Sequence, residues 1–139
     1  MDRKKLFNRQ ALLVIMIALV NFGALKFHWY YSLWWFDMPM HFLGGMWVSM
    51  FILWYLKDDN FSIDSIGRVI LGVFIVGLAW EVLELFLNEE FVQNAYDLPD
   101  TLSDIFFDLS GAFTAVFYVA MRVMNIPESG LKLYNAEKS

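Results

Sequence analysis

Residues 37–56 read Asp37-Met38-Pro39-Met40-His41-Phe42-Leu43-Gly44-Gly45-Met46-Trp47-Val48-Ser49-Met50-Phe51-Ile52-Leu53-Trp54-Tyr55-Leu56, and this stretch decides the fold. From Met38 to Leu56 its only ionisable group besides a tyrosine is His41. It is long enough to cross about 30 Å of hydrocarbon, which takes roughly 20 helical residues. The apolar residues do not alternate with period two, so a barrel strand is excluded and a helix is left to satisfy the backbone in lipid. The polar groups gather at one end. Asp37 and His41 stand four apart on one helical face, and Gly44 and Gly45 continue that stripe.

Three more stretches of this kind flank it. One runs from Gln10 to Phe27, broken by Asn21 and Gly23 and with Lys26 at its end; the others run from Val69 to Leu87 and from Ile105 to Met124. The composition of the 139 residues agrees: 59% hydrophobic, 19% aromatic and 18% charged, with the apolar residues bunched into runs that a soluble domain of this size has no polar surface to cover. The expected fold is therefore all-α: a polytopic transmembrane bundle of four helices, near 10–27, 38–56, 69–87 and 105–124. It forms a single membrane domain over 1–125, followed by a polar tail over 126–139. His28-Trp29-Tyr30-Tyr31-Ser32-Leu33-Trp34-Trp35-Phe36, between the first two helices, has the composition of an interfacial aromatic belt. Asn60 to Ser65 reads as a polar loop and Asn88 to Ser103 as an acidic connection holding Pro99. The chain has no cysteine, which excludes disulfides and thiolate chemistry.

Lys and Arg are distributed unevenly. With the N-terminus inside, Arg3, Lys4, Lys5, Arg9, Lys57, Arg68, Arg122, Lys132 and Lys138 fall on the cytoplasmic side, and only Lys26 falls opposite. This bias places both termini in the cytoplasm of a plasma (inner) membrane protein and disfavours a dual-topology dimer. The basic start followed by Ala11 to Val20 also has the form of a signal peptide. Phe22, two before Ala24, occupies a position where cleavage needs a small residue, so an uncleaved first helix is expected. The net charge of −5 matters less than where the acidic groups lie.

Ionisable residues inside a membrane helix are costly, about 2.5–3.5 kcal/mol each on insertion scales, and need a partner or a use. The third helix carries Glu81 and Glu84 on a face shared with Gly77 and Asn88. The fourth carries Asp104, Asp108 and Gly111, and is entered through Asp100-Thr101. At 1.5 Å rise per residue, His41, Glu84, Glu81 and Asp108 all fall roughly 5–9 Å below the outer helix ends. Three helices thus bring polar groups to one depth in the extracytoplasmic leaflet. Simpler readings absorb some of them. Thr101-x-x-Asp104 fits a capping box, and Asp37 can border its helix. Asn88, Glu89, Glu90 and Asp97 fit a solvated loop, the glycines close helix packing, and His28 the interface. His41, Glu81, Glu84 and Asp108 are too deep for capping.

Carboxylates and an imidazole on facing helices have the chemistry of a divalent-metal site in a helical bundle. His41, Glu81, Glu84, Asp104 and Asp108 are the candidate ligands, with Asp37 and Asp100 at the outer rim. Without a metal, the crowded carboxylates would share protons, which suits coupled transport or acid–base chemistry, with Glu81 and Asp108 as candidate catalytic groups.

At these residues the chain resembles the VanZ-like integral membrane proteins, and more closely their YjdF-like relatives. The resemblance lies in Asp37-x-x-x-His41 followed by glycine, Glu81-x-x-Glu84 after an aromatic residue, Asp100-Thr101-x-x-Asp104, and Gly111-Ala112 seven residues on. It spans roughly Asp37 to Ala115. Where the VanZ-like pattern commonly has glutamine and asparagine, this chain has Glu84 and Asp108, a more acidic set that favours a cation. The resemblance implies an outward-facing site suited to cell-envelope lipid or glycopeptide. The alternatives are a proton- or cation-coupled small transporter, most readily a homo-oligomer because four short helices enclose little space, and a non-catalytic membrane subunit. Membrane lipid is the expected partner, and nucleic acid is not.

Overall fold

Asp2 sets where the first helix begins. Its carboxylate accepts a hydrogen bond from the Lys5 backbone N–H at 3.0 Å, satisfying one of the donors that a helix start leaves free. In the computed structural model, which describes residues 1–57, 62–91 and 98–122, helix α1 then runs Arg3–Phe27. It ends at His28, whose left-handed backbone (φ 55°) turns its N–H back to the Ala24 carbonyl. A short turn, α2 (Trp29–Ser32), follows, and the longer helices α3 (Asp37–Leu56), α4 (Ile63–Phe91) and α5 (Leu98–Arg122) complete the chain. Among the described residues every element is helical, and four helices are long and apolar enough to cross a membrane.

The helices extend past the apolar runs. The first starts at Arg3, so the basic residues Arg3, Lys4, Lys5 and Arg9 lie on the helix itself. The connections are correspondingly shorter than expected, because α4 continues to Phe91 and α5 begins at Leu98. The Asn60–Ser65 loop yields to α4 as well. The Ser62 hydroxyl accepts from the Ser65 N–H at 3.2 Å, and the helix is under way at Ile63. A helix does not stop where hydrophobicity does; it stops where its backbone donors find caps or its sequence forbids continuation. Asp97 and the tail over 126–139 lie outside the described residues.

This start of α5 corrects the capping-box reading. Thr101 is the fourth residue of α5, not its N-cap, since Pro99 is tolerated in a first turn whose N–H groups have no intrahelical acceptor. Asp104 is therefore nearly two turns inside the helix and only 1% exposed. Asp37 opens α3, and Phe36 precedes it without a side-chain cap bond.

Helices α3 and α5 run parallel and form the most intimate pair, with α1 and α4 antiparallel to them. The sequence permits this through glycine. A Cβ on Gly45 would lie 2.1 Å from the Asp108 carbonyl oxygen, and one on Gly111 would lie 2.0 Å from that of Phe42. Small residues at such a crossing allow the close van der Waals packing that drives association in lipid. Just below, the Ser49 hydroxyl donates to the Ala112 carbonyl at 3.3 Å. Gly44, the other half of the pair, faces open space.

Each long helix past α2 buries a ridge spaced by four. On α3 it is His41, Gly45, Ser49 and Leu53; on α4, Ser65, Val69, Val73, Gly77 and Glu81; on α5, Asp104, Asp108, Ala112 and Val116. One end of the bundle is consequently apolar inside, with Leu6, Met50, Leu53, Val69, Val73, Ala115 and Val119 in one core. There Arg3 donates to the Trp54 carbonyl at 3.1 Å, and the Lys5 ammonium to that of Arg122 at 2.7 Å. Cations thus meet the negative ends of α3 and α5. The opposite end holds the polar ends of the same ridges. Large apolar side chains such as Leu19, Phe22, Leu71, Ile75, Phe106 and Phe117 point outward, as lipid-facing residues do.

Candidate functional site

His41 is the hub of the polar end. It lies one turn into α3 and is 7% exposed, and each of its ring nitrogens meets a carboxylate of α5. Nδ1 is 3.4 Å from Asp108 Oδ2. Nε2 is 3.9 Å from Asp104 Oδ2 and 3.8 Å from Asp37 Oδ2, one turn back on its own helix. Asp104 and Asp108, a turn apart on α5, therefore sit on different edges of the imidazole. From α4, Glu81 completes a group in which ligand atoms of His41, Glu81 and Asp104 all lie within 4.8 Å of one another, every residue buried. A second group of the same dimension joins His41 to Asp37 and Glu84, both half-buried. His41 belongs to both, so the site has an inner, enclosed tier and an outer tier that opens toward the helix ends.

Two atoms of the inner tier are unsatisfied among the described residues. Glu81 Oε1 and Asp104 Oδ2 are buried with no hydrogen-bond partner. Buried polar atoms in folded proteins are almost always paired, and leaving a charged one unpaired costs several kcal/mol. Thr101 lies beside Glu81 rather than capping the helix.

The structure therefore gathers His41, Glu81, Glu84, Asp104 and Asp108 at one place, with Asp37 at its edge. Asp100 is exposed in the first turn of α5, on the rim. Of the simpler sequence readings, the one for His28 agrees with an exposed residue beside the Tyr31 ring. Asn88, Glu89 and Glu90 are not in a loop but in the last turns of α4.

One contributor was missed. Tyr30, from the aromatic segment, is held by edge-on contact with Phe36 at 5.1 Å and donates its hydroxyl to Asn21 Oδ1 at 2.8 Å. Partial burial, then the charges of Asp37 and Glu84, raise its phenol above the ordinary value of 10.0, which marks how near it lies to the outer tier. A tyrosine seven residues before Asp37, in a segment that must fold back over the helix ends, was the available signal.

A buried imidazole, inward-facing carboxylates on three membrane helices and a small-residue crossing define the class: a four-helix integral membrane protein with a polar site at one end of its bundle. Residues 5–125 match the family described as predicted membrane protein (DUF2238), and the chain belongs to it. No curated protein and no solved structure matches the chain.

Proposed function

We propose that the chain binds a divalent metal ion between His41, Glu81 and Asp104, and that the occupied site engages the head group of an envelope lipid or glycopeptide. The observation that carries this reading is the convergence of ligand atoms of His41, Glu81 and Asp104 within 4.8 Å of one another, at residues that also hold two buried oxygens without a hydrogen-bond partner, Glu81 Oε1 and Asp104 Oδ2. A cation held among these residues would satisfy such oxygens and take a His41 nitrogen as its third ligand. One imidazole with two carboxylates suits a borderline or hard ion such as Zn, Mn or Mg. A three-residue set leaves coordination positions free for a phosphate or carboxylate ligand. Asp37, Glu84 and Tyr30 would line the approach from the helix ends, with Asp100 outside it.

The location of the chain belongs to the same reading. The nine-to-one distribution of Lys and Arg supports a plasma-membrane protein with cytoplasmic termini, which turns the site to the extracytoplasmic leaflet. The order Asp37-x-x-x-His41, Glu81-x-x-Glu84 and Asp104 supports kinship with the VanZ-like and YjdF-like proteins, and through it the envelope as the site of action.

The test is elemental analysis of protein purified in detergent, together with the His41→Ala and Glu81→Gln variants. About one equivalent of metal in the parent and none in either folded variant is the expected result. Well-folded parent protein that takes up no divalent metal sinks the proposal, and the cluster is then a lock between helices.

A further inference from the structure

The metal-site reading uses one nitrogen of His41, and the other is already engaged. We infer that Asp108 is the positioning residue of this site: it accepts a hydrogen bond from His41 Nδ1 and so turns Nε2 toward Glu81 and Asp104. Only the consequence for metal affinity rests on the metal-site reading; the orientation of the ring stands apart from it.

The geometry separates Asp108 from the other carboxylates. Its Oδ2 lies 3.4 Å from Nδ1, whereas Asp104 and Asp37 lie 3.9 and 3.8 Å from Nε2. Asp108 also belongs to neither group of three whose ligand atoms converge within 4.8 Å. An imidazole that offers one nitrogen to a cation carries its proton on the other, and a carboxylate hydrogen-bonded to that N–H fixes both tautomer and ring direction.

Helix α4 makes room for this. Gly77 is one turn before Glu81 on the same buried ridge, and a Cβ there would lie 2.5 Å from Asp108 Oδ2 and 3.4 Å from its Cγ. Position 81 of α4 thus supplies a ligand, and position 77 a notch that seats the group orienting the histidine. The atoms in the way are the end of a side chain, so Gly77→Ala displaces the carboxylate without forcing the helices apart and without changing any charge.

Two readouts test the inference. The chain has two histidines, so a His28→Gln background leaves His41 alone for nitrogen-15 NMR. A hydrogen-bonded Nδ1 proton is expected with and without Zn2+. It should be lost in Asp108→Ala, kept in Asp108→Asn, whose amide oxygen still accepts, and weakened or shifted in Gly77→Ala. Zn2+ titration should show one equivalent bound roughly 10- to 100-fold more weakly in Asp108→Ala and Gly77→Ala, the usual range for removing the partner of a ligating histidine. In Glu81→Gln, stoichiometric binding should vanish. Zinc on Nδ1, or no Nδ1 proton in the metal-free parent, overturns the inference. So does an Asp108→Ala variant that loses stoichiometric binding as Glu81→Gln does, because Asp108 is then itself a ligand. A parent that binds no Zn2+ but keeps the protected Nδ1 proton ends the metal reading and leaves the positioning role of Asp108 intact.

Discussion

Gly44 and Gly45 are neighbours in one helix, and alanine at the two positions should have opposite effects. At Gly44 a Cβ meets nothing within 4 Å, so Gly44→Ala gains helix propensity, up to about 1 kcal/mol. At Gly45 it meets Asp108 O at 2.1 Å and Asp108 C and Cα at 2.7 Å, all backbone of α5. No rotamer change relieves a clash with backbone. To reach the 3.0 Å that real Cβ contacts rarely undercut, α3 and α5 must part by about 0.9 Å there. That movement stretches the bond from Ser49 to the Ala112 carbonyl, 3.3 Å at rest, past hydrogen-bonding range. Overpacking of this kind costs about 1–3 kcal/mol, and an interhelical hydrogen bond in a membrane protein about 0.6–1.7 kcal/mol. Together they give a loss of about 2–5 kcal/mol for Gly45→Ala. Gly111 lies across the same crossing, 2.0 Å from Phe42 O and 2.8 Å from Met46 N for its own added Cβ, so one separation relieves both clashes. The double variant Gly45→Ala/Gly111→Ala should therefore lose less than the sum of the singles, by on the order of 1 kcal/mol. Reversible unfolding in mixed micelles measures all four variants against the parent. If Gly45→Ala falls within about 0.5 kcal/mol of Gly44→Ala, the near-contact of α3 and α5 is wrong, and so is the register that brings His41 to Asp104 and Asp108.

Other consequences follow from single contacts. Ser49→Ala removes only the bond to the Ala112 carbonyl and should cost about 0.6–1.7 kcal/mol in the same unfolding assay, leaving metal stoichiometry unchanged. Tyr30 is held above its ordinary value of 10.0 in the folded state, so its contribution is fully present below about pH 10 and is lost as pH rises through the raised value. Ultraviolet difference titration of parent against Tyr30→Phe isolates that phenol, and Glu84→Gln should lower its midpoint by removing one of the charges opposing ionisation. Asp100 is exposed on the rim, so Asp100→Asn should retain one equivalent of metal with affinity within about threefold of the parent, since solvent screens its charge; calorimetry with Zn2+ is the check.

Lipid made the four spans readable. A backbone crossing hydrocarbon must bond to itself, so long apolar runs become helices with few alternatives. The same rule made His41, Glu81 and Asp108 conspicuous, because a polar group in such a run requires a reason. Antiparallel alternation then carried the groups to one end of the bundle without any knowledge of packing. What sequence could not supply depended on rotation and backbone proximity. Gly44 and Gly45 belong to one stripe on paper, yet they point about 100° apart on a helix of 3.6 residues per turn. Only the approach of α5 reveals that Gly45 is the contact. Thr101 had the spacing of a cap, but helix starts are set by which N–H groups find acceptors. A proline able to occupy the first turn moved the start to Leu98 and left Thr101 inside the helix, beside Glu81. Asp104 and Asp108 were likewise equivalent by spacing. Their difference lies in the edge of one imidazole that each faces, and that edge is decided by a missing Cβ on a third helix. Chemistry-bearing residues are thus announced by the environment they violate, while the division of labour among them is written in close contacts between helices. In this bundle those contacts are made by glycine: Gly45 and Gly111 set the distance between the two helices that hold the histidine and the aspartates, and Gly77 sets the direction in which the histidine looks.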